Sequence, residues 1–563
     1  MSTTTIETIK ANVEACQSLF YCLKTTLGPY GRDKLIVDSD GNYLSSNDGA
    51  TILQYLDIKH PATRLLIGIA KSQDETIGDG TTSVVLLACL LLTNALKYIL
   101  LNTHPNHIIK GYQLALDYSL KIIDDLKIPL FIGYDQNNSN SNSKDVYKKM
   151  FRNDVFINQL YNVASTSISS KILNRYSNHF SNIGVGAIKK LQDNPMQDLI
   201  RVIGIQGQSM LDSFLIDGVL LPFDNNTHSN SSSGNTIFKD PIIIIGKLHL
   251  DQIQSEIQNT KIIYSSSSST TSTSSTQQEF RENEKRIYLS KLELIFKLNV
   301  NIIISDTSIP LILINLFKEK GILYFCIQDS RELEIISHCL GIKMIYDISN
   351  FNINHLNNNN SKNNDNHSEA KSISIGDKFY LQINKNNNDN NDKLSCAATV
   401  VLRAPTDSMI QECIRSFKDM LNVLSSTVRN PFIIGGGGCG YLEISKKLKE
   451  KANGVKDLKL QLSLNAYADS LESIPMILIQ NAGFDSLDLI KQLLNIHNQP
   501  NNQWMGVNLD TGSIVDMLSD LNVKEPSFLL SNILTLSSRA AQMILRINNN
   551  ILIEPRPEFH QQQ

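Results

Sequence analysis

The sequence predicts a multi-domain chain of mixed α+β and α/β class. Its 563 residues correspond to about four domains, at roughly 150 residues for each domain. Residues 1–130 and 395–555 carry apolar side chains at helical spacing, whereas the middle of the chain alternates short β-branched runs with helical segments. We therefore expect mostly helical ends and an α/β centre.

Two helices are expected in the first block. Apolar residues recur at helical spacing over residues 7–26, and the Leu-Gly-Pro sequence of residues 27–29 is a typical helix end. A second, strongly apolar helix is predicted over residues 83–95, directly after the sequence GDGTT. The glycine-rich turns at the end of the first helix and the start of the second are therefore candidates for a ligand site.

The middle of the chain is predicted to contain both strands and helices. Residues 241–250 and 299–305 are rich in isoleucine and valine and predict strands. Residues 311–320 and 331–340 carry the longer helical pattern. This order is typical of an α/β region.

Five polar tracts interrupt the chain between its two helical blocks. They consist mostly of asparagine or serine and cannot bury enough apolar surface to offset the entropy of ordering. We expect them to be loops or disordered, and we assign them no function. The tracts are residues 137–143, 225–235, 265–278, 357–366 and 386–391.

Composition excludes several classes of protein. With 52 basic and 55 acidic residues the net charge is -3, which leaves no electrostatic surplus for binding nucleic acid or anionic lipid. The longest unbroken apolar run, residues 84–92, is far shorter than the about 20 residues of a membrane span. The start MSTTTIETIK has no basic segment followed by an apolar one, so we expect a cytoplasmic protein. The eight cysteines form no CxxC pair and are expected to be reduced thiols in or near cores.

The GDGTT sequence, residues 78–82, can bind a phosphate together with a cation. Its glycines let the backbone approach a ligand, and the free amides at the start of a helix attract anionic oxygens. Asp79 offers a hard oxygen ligand for Mg²⁺. The same residues also suit a glycine turn with an Asp or Thr helix cap, so the motif alone leaves both interpretations open.

Two other segments are weaker signals by themselves. The acidic turn NDGAT, residues 47–51, is also typical of an ordinary loop turn. The sequence GGGGCG, residues 435–440, follows a strand-like FII and satisfies the dinucleotide pattern GxGxxG, with Asp457 about 20 residues further on. However, the residues around Asp457 have helical character, and the dinucleotide interpretation leaves NDGAT and GDGTT unexplained.

Taken in order, several segments resemble the group II chaperonins of the eukaryotic cytosol, the CCT/TRiC family. They are TTLGPYGRDKLI, SSNDGATIL, HPATRLLIGIAKSQDETIGDGTTSVV, RSFKD, GGGG and NAGFD. The resemblance spans nearly the whole chain and is interrupted at the polar tracts. It implies an ATP-dependent molecular chaperone, a subunit of a hetero-oligomeric double ring that encloses and folds non-native client proteins. ATP hydrolysis with Mg²⁺ would drive the closure of a lid.

The resemblance also implies three domains. A mostly helical equatorial ATPase domain would combine residues 1–130 and 428–563, and a small intermediate hinge domain would combine residues 131–199 and 386–427. An α/β apical domain, residues 200–385, would bind clients and carry a helical protrusion at about residues 250–290.

Site residues carry over from the family position by position. Asp79 would bind magnesium, while Asp48 and Asp419 would orient or deprotonate the attacking water, with Asp419 reaching the nucleotide when the hinge closes. The hydroxyls of Ser169 and Ser170 can equally be helix caps. The residues implied to bind ATP are Gly28, Gly80, Thr81, Thr82, Ser83, Ser169, Ser170, Gly436, Gly437 and Glu525.

Five departures from the family pattern keep a second hypothesis open. Ala404 and Pro405 follow Arg403 where the family has two glycines, and an acidic residue is replaced by Tyr441. Asn508 stands in place of aspartate, and Leu530 in place of a basic residue. Under this hypothesis the chain is a structural ring subunit with weak or no ATP turnover.

Overall fold

The structure is a computed structural model, and it combines helices with several small sheets. It describes residues 3–37, 41, 43–131, 143–191, 199–223, 237–247, 292–293, 295–297, 299–346, 366–376, 378–387 and 398–550. The predicted protrusion at about residues 250–290, and with it the tract 265–278, lies outside the described residues. The predicted mixed fold class is confirmed.

The α-helices contain the longest regular segments. Some begin at side-chain caps, among them the helix at Gly49, which is capped by Asp48, and the helix at Leu458, which is capped by Asp457. The helices are α1 (Thr3–Leu23), α2 (Gly49–Tyr55), α3 (Pro61–Thr76), α4 (Thr81–Leu100), α5 (Pro105–Leu126), α6 (Ser143–Phe151), α7 (Asp154–Ile168), α8 (Ser177–Lys190), α9 (Leu311–Glu319), α10 (Ser330–Leu340), α11 (Asp407–Arg429), α12 (Cys439–Asn453), α13 (Leu458–Asn481), α14 (Ser486–His497) and α15 (Ser527–Leu545).

The strands are mostly short. They are β1 (Lys34–Val37), β2 (Tyr43–Ser46), β3 (Ile128–Pro129), β4 (Ile200–Gln206), β5 (Phe214–Asp217), β6 (Val219–Pro222), β7 (Ile237–Lys239), β8 (Ile243–Gly246), β9 (Ile302–Ser305), β10 (Leu323–Cys326), β11 (Asn366–Ile375), β12 (Lys378–Asn387), β13 (Ala398–Ala404), β14 (Phe432–Gly435), β15 (Met505–Val507), β16 (Ile514–Asp516) and β17 (Lys524–Pro526).

The chain divides into two compact units. Unit 1 comprises Met1–Val185 and Thr406–Gln563, and unit 2 comprises Gly186–Pro405. Unit 1 is therefore built from both ends of the chain. The finer division into equatorial, intermediate and apical domains stays a prediction.

Helix α4 lies in the main core of unit 1. Residues 84–89 of this helix are all buried, and α1, α3, α5, α13 and α15 contribute further buried side chains to the same core. A helix that is apolar on all sides is stable in such a surrounding. Helices α4 and α15 are long and apolar enough to cross a membrane by length and composition, although 56% and 61% of their most apolar windows are buried within the fold.

Small antiparallel sheets complete unit 1. Strand β14 lies between β17 and β3, and both neighbours run antiparallel to it. Strands β15 and β16 form a hairpin in which Met505 pairs with Asp516. The dinucleotide interpretation of the GGGGCG sequence is wrong, because it requires a parallel strand-helix-strand unit and Asp457 caps helix α13 instead.

Unit 2 contains the predicted α/β region. Strands β10, β9 and β8 form a parallel sheet in that order. The isoleucine-rich strands β8 and β9 are buried on both faces, whereas β10 is buried at Tyr324 and Phe325. Helices α9 and α10 alternate with these strands along the chain, as predicted. Antiparallel β6-β12-β11-β7 and mixed β4-β13-β5 form the other sheets.

Two details of the sequence-based expectation need correction. Strand β11 begins at Asn366 and β12 ends at Asn387, so the β11–β12 hairpin extends into two tracts that were predicted to be loops. Backbone pairing does not depend on apolar side chains, which explains the extension. Cys326 is exposed at the end of β10, whereas the other cysteines of the described residues are buried or half-buried; Cys396 lies outside the described residues.

Candidate functional site

Unit 1 encloses a cavity of about 690 Å³, which lies within the usual size range of ligand pockets, about 300–1,000 Å³. Its wall combines loops and helix starts from both ends of the chain. One end is lined by acidic and hydroxyl side chains, and the opposite end by glycines and apolar side chains. The lining includes residues 26–30, 47–48, 78–83, 165–167, 169–171, 437–438, 507–510, 521–523 and Glu525.

Asp48 joins two helix starts at the acidic end. Its Oδ2 accepts hydrogen bonds from the backbone N–H and the hydroxyl of Thr51, at 2.9 and 2.7 Å, and so caps helix α2. Its Oδ1 accepts a bond of 2.9 Å from the hydroxyl of Thr81, the first residue of α4. Although burial alone would raise the pKa of Asp48, the charge of Lys171 and these hydrogen bonds hold it below the usual value. Asp48 is therefore ionised at neutral pH.

Asp79 lies beside it, at the turn that precedes α4. Its Oδ1 accepts a 2.7 Å hydrogen bond from the backbone N–H of Gly80, and its carbonyl accepts one of 2.7 Å from Gln73. Gly80 has φ +74°, where an added Cβ would lie 2.8 Å from Ile533, so glycine is required there. Burial raises the pKa of Asp79, with the charge of Asp48 adding to the effect.

Lys171 and Asp419 form a buried ion pair at the same end. Lys171 Nζ lies 2.5 Å from Asp419 Oδ2, and the two side chains are 8% and 9% exposed. The pKa of Lys171 is raised above its usual value: burial opposes this, but Asp419, Asp79 and Asp48 all stabilise the ammonium. Burial raises the pKa of Asp419 to about 7 in spite of the ammonium. One lysine is therefore surrounded by three carboxylates.

Glu525 and the glycine loop form another part of the wall. Strand β17 carries Glu525, and burial together with the charge of Asp79 raises its pKa to about 7. A Cβ on Gly436 would lie 2.8 Å from Glu525 Oε1, so the loop backbone passes directly over this carboxyl group. Gly437 has φ +64° and lines the cavity itself.

The opposite end of the cavity is closely packed and mostly apolar, with Asn508 and Asp510 as polar residues in its lining. Leu478, Val507 and Met517 line it, together with the turn of the β15–β16 hairpin. Gly28 has φ +83°, and a Cβ there would lie 2.4 Å from Leu478 Cδ2. This end can accept a flat apolar group, and it leaves the anionic part of a ligand to the hydroxyls and amides at the acidic end.

Most of the site residues predicted from the sequence line this cavity. Asp419 and Gly436 do not: Asp419 lies behind Lys171, and Gly436 faces Glu525. The hydroxyl of Ser169 donates to the carbonyl of Thr166 at 2.7 Å, which is the helix-end role that was left open for it. The predicted residues in the lining are Gly28, Asp48, Asp79, Gly80, Thr81, Thr82, Ser83, Ser169, Ser170, Gly437 and Glu525.

The sequence-based prediction missed Lys171, Asn47 and a role for Tyr441. Lys171 follows Ser169 and Ser170 directly, and a lone lysine on a polar segment gives no signal of burial. Asn47 donates from Nδ2 to the carbonyl of Ser170, which ties the acidic turn to the end of α7. Tyr441 is buried in the cavity wall, and burial raises its pKa, so its phenol stays protonated.

A magnesium ion fits the acidic end on chemical grounds. Among the described residues there is no group of three or more His, Cys, Asp or Glu that could form an all-protein metal site. Mg²⁺ usually takes only one or two carboxylates and fills its remaining positions with water and substrate phosphates. Asp79 is a half-buried carboxylate in the cavity wall, and burial next to Asp48 makes a cation favourable there.

Comparisons with known proteins give one consistent family. A sequence profile described as the TCP-1/cpn60 chaperonin family matches residues 19–555. Thermosome subunit alpha of Aeropyrum pernix is 29% identical over 554 residues, which cover 97% of this chain and 91% of that protein.

Two eukaryotic proteins are similar to the same extent. T-complex protein 1 subunit beta of Saccharomyces cerevisiae is 32% identical over 539 residues, covering 95% of this chain and 93% of that protein. T-complex protein 1 subunit eta of Arabidopsis thaliana is 29% identical over 543 residues, covering 96% and 90%. Because these identities are close, they do not single out one type of subunit.

Proposed function

The chain belongs to the TCP-1/cpn60 chaperonin family, and on this premise we propose that its cavity binds ATP with magnesium and hydrolyses the γ-phosphate. Like its family, it is an ATP-dependent chaperonin ring subunit that folds proteins. The observation that supports catalysis by this chain is the buried ammonium of Lys171 among three carboxylates at one end of the cavity. Phosphoryl transfer depends on such a preorganised arrangement of charges.

The phosphates would lie at the acidic end. Thr81, Thr82 and Ser83 offer hydroxyls and backbone amides at the start of α4, where the helix dipole favours negative charge. Lys171 is the only lysine or arginine in the described lining of the cavity. Its ammonium would therefore supply the one positive side chain available to the phosphates.

Asp79 would hold the magnesium ion, which neutralises charge on the phosphates when bound. Asp48 would accept a hydrogen bond from the attacking water, because its low pKa keeps it ionised. Asp419 does not line the cavity, so it would take the proton only after the hinge closes; its pKa of about 7 suits a general base at neutral pH. Glu525 and the glycines of the 436–437 loop would face the ribose and the base.

The location, assembly, domain division and subunit type of the chain are further proposals. We propose a cytoplasmic hetero-oligomeric double ring in which ATP drives lid closure over a non-native client protein, with equatorial, intermediate and apical domains as predicted. We further propose that the chain is an eta-type subunit. The sequence segments KSQDETIGDGTTSV, NAGFDSLDLI and WMGV support that choice.

The Asp79→Asn variant tests the enzymatic proposal within an assembled ring. The substitution keeps the shape of the side chain but removes the charge that would hold magnesium. We expect the total ATPase rate of the ring to fall by the fraction that this subunit contributes to it. The rate should recover in part at higher magnesium concentration.

The matched control is Asp469→Asn, which removes an exposed carboxylate of unit 1 outside the cavity. It should leave the rate unchanged. If Asp79→Asn also left the total rate unchanged, the chain would be the structural ring subunit with weak or no ATP turnover that the departures from the family pattern kept open.

A further inference from the structure

Gln73 is a fully buried glutamine near the end of helix α3, and it contacts the turn that carries Asp79. Its side-chain Nε2 donates a 2.7 Å hydrogen bond to the backbone carbonyl of Asp79. Its own backbone carbonyl accepts from the N–H groups of Ile77 and Gly78, at 3.0 and 3.4 Å. Gln73 therefore holds the turn through both its side chain and its backbone.

The peptide unit between Asp79 and Gly80 transmits the side-chain contact to the Asp79 carboxylate. Its C=O accepts from Gln73, and its N–H, which belongs to Gly80, donates to Asp79 Oδ1 at 2.7 Å. Because the peptide unit is planar and trans, its C=O and its N–H point in opposite directions and cannot turn independently. The bond from Gln73 therefore fixes the direction of the N–H that orients the carboxylate.

The turn needs such a restraint because glycines flank Asp79 on both sides. Gly78 and Gly80 have φ +75° and +74°, and glycine can adopt many other backbone conformations as well. Packing leaves no room for a side chain that would limit them, since a Cβ on Gly78 would lie 2.6 Å from Asn422 Nδ2 on α11. The hydrogen bond from Gln73 restrains the turn without requiring a side chain within it.

Asn532 on helix α15 fixes the orientation of the Gln73 amide. The carbonyl of Asp79 only accepts hydrogen bonds, so the NH₂ group of Gln73 must face it and Oε1 must point away. Asn532 Nδ2 donates to this Oε1 at 2.7 Å. The two bonds form a chain from α15 through α3 to the turn that carries Asp79.

We propose that Gln73 and Asn532 are positioning residues that orient the Asp79 carboxylate toward magnesium. The proposal rests on the proposed function, in which Asp79 holds the ion. Neither residue lines the cavity, so both act through the peptide between Asp79 and Gly80. Loss of a hydrogen-bond partner behind a metal ligand typically lowers metal affinity by about 10- to 100-fold.

The test is photolabelling of this subunit by 8-azido-ATP in the assembled ring, measured as free magnesium is raised. Gln73→Met keeps the length of the side chain but removes both of its hydrogen bonds. We expect the magnesium concentration for half-maximal labelling to rise about tenfold, with unchanged labelling at saturating magnesium and in excess EDTA. An unchanged half-maximal concentration would overturn the proposal. Equal losses of labelling with and without magnesium would indicate a merely structural role and would also overturn it.

Gln542→Met is the matched control. Gln542 lies on α15, is 7% exposed and does not line the cavity, so the same substitution there removes a buried amide away from the Asp79 turn. Its half-maximal magnesium concentration should equal that of the unsubstituted subunit, and a shift as large as that of Gln73→Met would contradict the proposal. Absence of labelling in the unsubstituted ring, or labelling that does not depend on magnesium, would instead overturn the proposed function itself.

Asn532→Leu is the second variant, in case Gln73→Met does not assemble. It replaces a half-buried side chain by a neutral one of similar size, and it leaves Gln73 without the donor that orients its amide. We expect a smaller shift in the same direction, because Gln73 keeps its bond to the carbonyl of Asp79 for part of the time. The double variant should match Gln73→Met alone, since Asn532 acts only through Gln73. Additive shifts, or no shift in Asn532→Leu, would contradict the proposal.

Discussion

The two ends of the cavity are formed by different kinds of groups, charged side chains at one end and glycine backbone at the other. At the acidic end, specificity resides in side-chain charges: Asp48, Asp79 and Asp419 surround the ammonium of Lys171. At the apolar end it resides in backbone geometry, because Gly28 and the glycine loop take conformations and close contacts that other residues cannot adopt. Specificity at the acidic end therefore depends on the protonation of the carboxyl groups, whereas specificity at the apolar end depends on the shape of the backbone.

The acidic end also reduces the stability of the fold. The pKa values of Asp79, Asp419 and Glu525 are all raised by burial, so each is less favourable as a carboxylate in the folded chain than in water. Such destabilised groups are typical of sites selected for function. At the apolar end Met517 belongs to the main core of unit 1 and Leu478 packs against that core, so the apolar side chains there have no comparable cost.

The largest expected effect is on turnover, from Asp419→Asn. If Asp419 is the general base, its loss lowers the turnover of this subunit by about 100-fold or more. Because its pKa is about 7, the unsubstituted rate should rise with pH from about 6 to about 8, and the variant should lose this rise. The measurement is the ATPase rate of the assembled ring across this pH range.

Glu525→Gln tests whether the effect of Asp419→Asn comes from the loss of a general base or from the removal of any buried carboxyl group at the site. Glu525 has the same raised pKa, but it lies on β17 next to the glycine loop. We expect the variant to change the half-saturation for ATP and to keep the rise of the rate with pH. A pH profile that flattened in Glu525→Gln but not in Asp419→Asn would assign the base to Glu525.

A smaller effect is expected on stability, from Lys171→Met. Removing the cation leaves Asp419 buried without its partner, and breaking a buried pair typically costs about 3 kcal/mol of the free energy of unfolding. The double variant with Asp419→Asn should recover most of this loss. Urea denaturation of the three variants at neutral pH measures the recovery.

The pH dependence of stability has a defined sign at this pair. The folded pKa of Asp419, about 7, lies above its ordinary value of 3.8, so the folded chain binds more protons between these values. Its contribution to the free energy of unfolding therefore falls as pH rises from 3.8 to about 7. The cost of Lys171→Met should be larger at the upper limit of this window. An equal cost at both limits would exclude Asp419 as the unpaired group.

The sequence predicted the two ends of the cavity unequally. Asp48 and Asp79 stand in glycine turns before helices, which is a local pattern, and both lie in the cavity wall. Lys171 could not be predicted from its neighbours, because its environment is created by α11 from the other end of the chain. The contacts of Gly28 with α13 are equally long-range.

The fold, too, was predicted where it depends on local sequence and not where it depends on long-range contacts. Helices α4, α9 and α10 were predicted from periodicity to within a few residues, apart from a longer C-terminal end of α4. Periodicity does not specify strand partners, so the antiparallel neighbours of β14 could be identified only in the structure. The β11–β12 hairpin entered two asparagine tracts because register, and not composition, sets its length.

The smallest of these effects is expected from Gly438→Ala at the apolar end. Gly438 has φ +86°, and a Cβ would lie 2.8 Å from Pro475 Cβ and 3.3 Å from its Cα, neither of which can rotate away. Gly483 has φ +87° with no atom of the described residues within 4 Å of an added Cβ. Both alanine variants incur the positive-φ cost of about 1 kcal/mol, but only Gly438→Ala adds the clash, for a total of about 2 kcal/mol. The difference between their urea midpoints isolates the close approach, and equal midpoints would mean that α13 can move away and that shape does not limit this end.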